Sequence, residues 1–85
     1  MAEAEQTLTV IARAPFHVYY EGAAYSVTGH NKVGTFDVLP GHADFFSMLT
    51  SGTMMITTET EELKFDVNNG IITVRDNQVL LFVNM

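Results

Sequence analysis

The sequence contains no cysteine and no tryptophan, only two prolines, and four basic side chains against ten acidic ones. Each shortage closes a class of function. Without cysteine there is neither a disulfide framework nor a thiolate metal site. The only cations, Arg13, Lys32, Lys64 and Arg75, are scattered along a chain of net charge −6. A nucleic-acid backbone needs clustered cations to displace its counterions, so nucleic acid is excluded as a partner. The same shortage disfavours electrostatic docking on anionic lipid. No apolar run approaches the ~20 residues of a spanning helix, so no direct membrane insertion is expected. Residues 1–6 are acidic and lead into no apolar segment. They are expected to form a loose N-terminus, not a signal peptide, and the chain to be intracellular and soluble.

Hydrophobic residues make up 47% of the 85, too many for a solvated, disordered segment. The length suits one domain, residues 1–85. A domain this small buries only about 60–65% of its unfolded surface, which leaves it marginal without a partner. The periodicity is that of strands. In Glu62-Leu63-Lys64-Phe65-Asp66-Val67, charged and apolar residues alternate strictly, so Leu63, Phe65 and Val67 share a face. Met54 to Thr60 alternates more loosely, and Thr7 to Ala12 is β-rich by composition. Two further runs, His17 to Glu21 and Ala24 to Thr28, are divided by a turn at Gly22. Asn68-Asn69-Gly70 and Asp76-Asn77 supply residues that tolerate positive φ between strands. Gly34, Pro40-Gly41 and Ser51-Gly52 punctuate the middle. The spacing predicts eight or nine short strands in a sandwich or small barrel. Ala43 to Leu49 fits either a strand or a helical turn.

The last strand breaks the alternation: Val79-Leu80-Leu81-Phe82-Val83 is apolar on both faces. Either both sides are covered by the fold, or Leu80 and Phe82 face a docking surface for another subunit. Catalytic equipment is hard to find. His17, His30 and His42 are 13 and 12 residues apart and share no strand, which argues against a metal site. Ser26, Ser47 and Ser51 sit in no strand–turn–helix elbow, and the glycines are too dispersed to cradle phosphate. The acidic Glu59, Glu61 and Glu62 read as a solvated hairpin rim. No catalytic, cofactor-binding or metal-ligating residue is assigned, and no cofactor is expected.

The segment from Gly34 through Phe36 and Asp37 to Leu39-Pro40-Gly41-His42-Ala43 is a strand that ends in a sharp corner. Proline fixes φ and ends pairing, and glycine permits the reversal. Here the sequence resembles the epsilon subunit of F-type ATP synthases (delta in mitochondria), with its Gly-x-Phe/Leu-Gly-x-x-Pro-Gly-His-Ala stretch. Pro15-Phe16-His17-Val18-Tyr19-Tyr20-Glu21-Gly22 with Ser26-Val27 is similar to the Pro-Glu-Arg-x-x-Tyr/Phe-Glu-Gly run and following Ser-Val of that family. Leu49-Thr50-Ser51-Gly52 and Phe65 to Val74 resemble its Leu-Lys-Pro-Gly and Phe-x-Val-Ser-Gly-Gly-Phe-x-Glu-Val. The four motifs run in register from residue 7 to about 83.

The resemblance implies an all-β fold, a flattened β-sandwich of about ten short, mainly antiparallel strands. It implies a non-catalytic rotor-stalk subunit that binds the gamma subunit and the c-ring and supports coupling of proton transport to ATP synthesis. Such a subunit is peripheral, held through its complex on the cytoplasmic face of the bacterial inner membrane or the equivalent organelle face. By carry-over, Val33, Gly34 and Thr35 and the corner Pro40, Gly41 and His42 belong to the surface near gamma and the ring. Leu80 and Phe82 join them as contact candidates from the pattern of the last strand. Val33 and Thr35 stand where the family usually carries ring-facing acidic residues, and Asp37 stands where it has glycine. The chain reaches Met85 where a two-helix domain begins in most relatives, so no helical hairpin, helical inhibition or ATP binding is expected. The alternatives are a free-standing β-sandwich interaction module and, more remotely, a small metal-dependent barrel enzyme.

Overall fold

The computed structural model describes residues 7–84, and along them the β-periodic segments are strands. The expectation for residues 1–6 lies outside the described residues. In chain order the strands are β1 (Leu8–Ala14), β2 (His17–Ala24), β3 (Ser26–Asn31), β4 (Gly34–Val38), β5 (Phe45–Leu49), β6 (Gly52–Thr57), β7 (Glu62–Val67), β8 (Asn69–Arg75) and β9 (Gln78–Asn84). One sheet has the order β2-β1-β9-β8-β5 and the other β4-β3-β6-β7. All pairings are antiparallel except β1 with β9. The two sheets form a flattened sandwich, 39 × 25 × 18 Å, with no helix among the described residues.

The core follows from side-chain alternation, which sends every second residue to the same face. Leu8, Val10 and Ala12 of β1, Ile72 and Val74 of β8, and Val79, Leu81 and Val83 of β9 line the inside of the five-stranded sheet. Val27, Val38, Met54, Ile56 and Val67 meet them from the four-stranded sheet. Tyr19, Phe36, Phe45, Leu63 and Phe65 pack around the margin. No polar side chain is buried among the described residues, so the interior carries no unmet hydrogen-bonding cost.

Two local expectations change, at Gly22 and at Asn68-Asn69-Gly70, and the open reading of residues 43–49 is settled. Gly22 lies inside β2, paired with Val10, and the break in the chain falls at Tyr25. Phe45–Leu49 is a strand. Asn68-Asn69-Gly70 is no hairpin turn: β7 and β8 belong to different sheets, and none of the three residues has positive φ. Asn68 alone carries the chain from one sheet to the other, and β8 starts at Asn69. Gly70 is required there for a different reason. A Cβ on it would collide with the carbonyl oxygen of Phe82 and lie 3.1 Å from the Val83 Cα. Asp37 is also settled: it is an extended β4 residue whose Oδ1 accepts a 2.6 Å hydrogen bond from Thr28 Oγ1.

The Asp76-Asn77 turn is as expected, with φ of 50° and 62° linking β8 to β9 by two residues. Positive φ at both positions matches a type I′ hairpin. Asn77 also ties the turn to its surroundings. Its Oδ1 accepts from the Gly41 N–H at 2.8 Å, and its carbonyl accepts from the Thr9 N–H at 2.8 Å. Asn77→Ala is therefore expected to cost about 2 kcal/mol in urea unfolding, from a left-handed alanine plus one lost hydrogen bond. Asn77→Gly, which restores the backbone freedom only, should recover about half of it.

Candidate subunit-contact surface

The two outer faces of the sandwich differ in chemistry. The four-stranded sheet presents Thr28, Thr35, Asp37, Thr53, Glu62, Lys64 and Asp66 outward, several of them linked to one another. Besides the Thr28–Asp37 bond, Thr53 Oγ1 donates to Asp66 Oδ1 at 3.1 Å. This face is polar and solvated, as the alternation of β7 dictates.

The outer face of the five-stranded sheet is apolar. Strand register lines its side chains in rows that cross the sheet. One row is Met48, Ile71, Phe82, Arg13 and Val18, and the next is Phe46, Thr73, Leu80, Ile11 and Glu21. Met48 is 69% exposed, Phe46 66% and Phe82 45%. Two adjoining grooves run along the end of this face. Pro15, Met48, Ile71 and Phe82 line one of about 360 Å³. Asn31, Lys32, Val33 and Met48 line the other, of about 390 Å³. A contiguous apolar surface of this kind marks an interaction site more often than bare solvent exposure.

Leu80 and Phe82 both lie on this face, Leu80 half-buried and Phe82 exposed, while Val79, Leu81 and Val83 point inward. Val33 projects from the β3–β4 turn and is 96% exposed. Asn31 shapes that turn, its Oδ1 accepting from the N–H groups of Val33 at 2.9 Å and Gly34 at 3.2 Å. Behind it, Thr35 Oγ1 meets His30 Nδ1 at 3.1 Å, and the His30 carbonyl accepts from the Thr50 N–H at 3.0 Å.

The corner Pro40-Gly41-His42 sits elsewhere. It follows the far end of β4, about 15 Å along the strand from Gly34. Gly41 there has a φ of 86°, which favours glycine. The His42 ring packs edge-on against Phe45 at 5.4 Å, and Phe45 against Phe36 at 5.2 Å. The structure thus brings Val33, Gly34 and Thr35 to the same end as Phe82, through Met48, and leaves Pro40, Gly41 and His42 at the opposite end. His17, His30 and His42 lie on three different elements. No group of three His, Asp or Glu side chains suited to a metal ion occurs among the described residues.

Sequence reasoning overlooked Phe46, Met48, Ile71, Ile11 and Val18. The signal for four of them was present: Val10-Ile11, Phe45-Phe46, Met48-Leu49 and Ile71-Ile72 are adjacent apolar pairs, the same break in alternation that marks β9. Only the pairing of β5, β8, β9 and β1 shows that the surplus apolar residues collect on one face.

Comparison with known proteins agrees with the β-sandwich fold. The family described as ATP synthase, Delta/Epsilon chain, beta-sandwich domain matches residues 7–85. The ATP synthase epsilon chain of Desulforudis audaxviator is 33% identical over 84 residues, covering 99% of this chain and 60% of its own length. That of Synechococcus elongatus is 32% identical over 78 residues, covering 92% and 57%. The chain thus spans little more than half the length of these two relatives. Among solved structures, a chain of the Euglena gracilis mitochondrial ATP synthase, in an assembly with OSCP, F1 and the c-ring, superposes with a TM-score of 0.85. It is 16% identical, and the match covers 93% of this chain and 51% of that one, so it speaks to the fold alone. With the family matched from residue 7 onward and nine strands of a sandwich among the described residues, this chain belongs to the ATP synthase delta/epsilon chain β-sandwich family.

Proposed function

We propose that the chain acts as an epsilon-type, non-catalytic subunit of the rotor central stalk of an F-type ATP synthase, binding the gamma subunit and the c-ring. The observation that carries this reading is the unpartnered apolar face of the five-stranded sheet, in a domain of this family. Gamma docks on that face, across Leu80 and Phe82. The ring meets the end formed by Val33, Gly34 and Thr35. The corner Pro40-Gly41-His42 points away from that end, so any contact it makes is with gamma. Binding both partners lets the domain support coupling of ion-driven ring rotation to ATP synthesis. No helix of the described residues is long and apolar enough to cross a membrane. In this reading the subunit is peripheral and held through its complex, at the cytoplasmic face of a bacterial inner membrane or the equivalent organelle face.

The test is co-purification of the tagged chain with its cognate gamma subunit. Wild type is expected to retain gamma and to restore coupled ATP synthesis to epsilon-depleted membranes. Phe82→Ser is expected to weaken retention at least ~10-fold, roughly the loss of one well-packed aromatic anchor. A chain that neither binds gamma nor restores coupling overturns the proposal in favour of a free-standing interaction module.

A further inference from the structure

The proposed docking face is set apart by charge as well as by apolarity. The chain carries a net charge of −6, yet two of its four cations, Arg13 and Arg75, stand on this one face. Arg13 lies in the same row as Phe82 and Ile71, and Arg75 projects outward from the end of β8. Glu21, on the edge strand β2, is the only carboxylate in the strand rows of this face. Asp44, just before β5, lines a groove with Phe46, Thr73 and Arg75 without pairing with that arginine, and most of the other described carboxylates sit on the polar sheet or on the turns at the Asp76 end.

Neither arginine is committed within the chain. Arg13 makes only long contacts, 3.4 Å each, to the carbonyls of Ala14 and Pro15. Among the described residues no carboxylate pairs with Arg13 or with Arg75. Strand spacing and rise put their Cα atoms roughly 16 Å apart, two strands and two rows across the sheet. The apolar residues Ile71, Leu80 and Phe82 fill the space between.

We infer that the gamma segment covering this face is itself acidic and apolar, with carboxylates set to meet Arg13 and Arg75 on either side of an apolar strip. This rests on the reading of the face as the gamma-docking surface. The physical basis is complementarity. A covered guanidinium left without a carboxylate or carbonyl acceptor loses hydration without replacement, and arginine's planar fork suits paired oxygens. Opposite charge at a rim also speeds encounter and sets register, with a marked dependence on salt.

The experiment titrates a cognate gamma-containing subcomplex lacking epsilon with the chain, at low and at high ionic strength. The variants are Arg13→Glu/Arg75→Glu, the milder Arg13→Gln/Arg75→Gln, and Lys64→Glu on the polar sheet as a control, each checked for an unchanged thermal unfolding midpoint. Wild-type affinity is expected to fall about 10-fold or more at high salt. The double reversal is expected to lower low-salt affinity about 100-fold and to remove the salt dependence, the Gln pair to lie between, and Lys64→Glu to match wild type. Affinity that ignores salt, or a folded double reversal that binds as wild type does, overturns the inference while leaving gamma docking intact. Wild type that does not bind gamma removes the underlying functional reading instead. Self-association of the free chain that is abolished by Phe82→Ser overturns the inference in favour of a second copy on this face.

Discussion

Gly70→Ala is expected to destabilise the chain by about 3 kcal/mol, and Gly70→Val by more, a large part of the total for a domain of this size. At roughly 0.05–0.15 kcal/mol per residue, that total is about 4–13 kcal/mol. The atoms in the way decide the magnitude. A methyl on Gly70 meets the Phe82 carbonyl oxygen and the Val83 Cα, which are backbone atoms of the paired strand β9, with Leu49 Cδ1 at 3.2 Å. A flexible side chain could swing aside, but the β8–β9 ladder can yield only by breaking its register. The neighbouring Asn69→Ala, at an exposed position, should stay within about 0.5 kcal/mol of wild type. Urea unfolding of the three variants measures this. A loss below about 1 kcal/mol for Gly70→Ala would show that β8 and β9 are not held this close.

Leu81→Ala is expected to cost about 2–5 kcal/mol, whereas Phe82→Ser, one residue on, should cost under about 1 kcal/mol in the free chain. Leu81 is 1% exposed and enclosed by the core, so its truncation leaves a cavity that surrounding strands cannot close. Phe82 lies on the outer face, where serine merely trades apolar surface for solvated surface. Binding should show the reverse order once the loss of folded Leu81→Ala protein is allowed for. Denaturation of the free chain, set beside gamma retention, separates the two. Equal loss of stability for both variants would mean that β9 is covered on both sides.

How far this was legible depended on whether a signal was local. The alternation of Glu62 to Val67 needs no partner strand to be read, because side-chain direction follows from the backbone alone. The Asp76-Asn77 turn is local chemistry of the same kind. Asn68-Asn69-Gly70 looked locally identical to a turn and is a sheet crossing. Nothing within three residues distinguishes a glycine needed for positive φ from one needed for close approach. Val33-Gly34-Thr35 and Pro40-Gly41-His42 were grouped as one surface by carry-over from the family resemblance, which says nothing of their spacing in this chain. Strand β4 carries them to opposite ends.

An all-β fold, its strand periods and the family to which the chain belongs were legible in the sequence. These rest on side-chain alternation, turn chemistry and ordered motifs, all expressed over a few residues or in linear spacing. Which outer face is apolar emerged only from the tertiary structure. Residues such as Phe46, Ile71, Leu80 and Arg13 become neighbours only through the pairing of β5, β8, β9 and β1. Which side of an apolar-on-both-faces strand turns outward is set by where the second sheet packs, and local sequence carries no record of that.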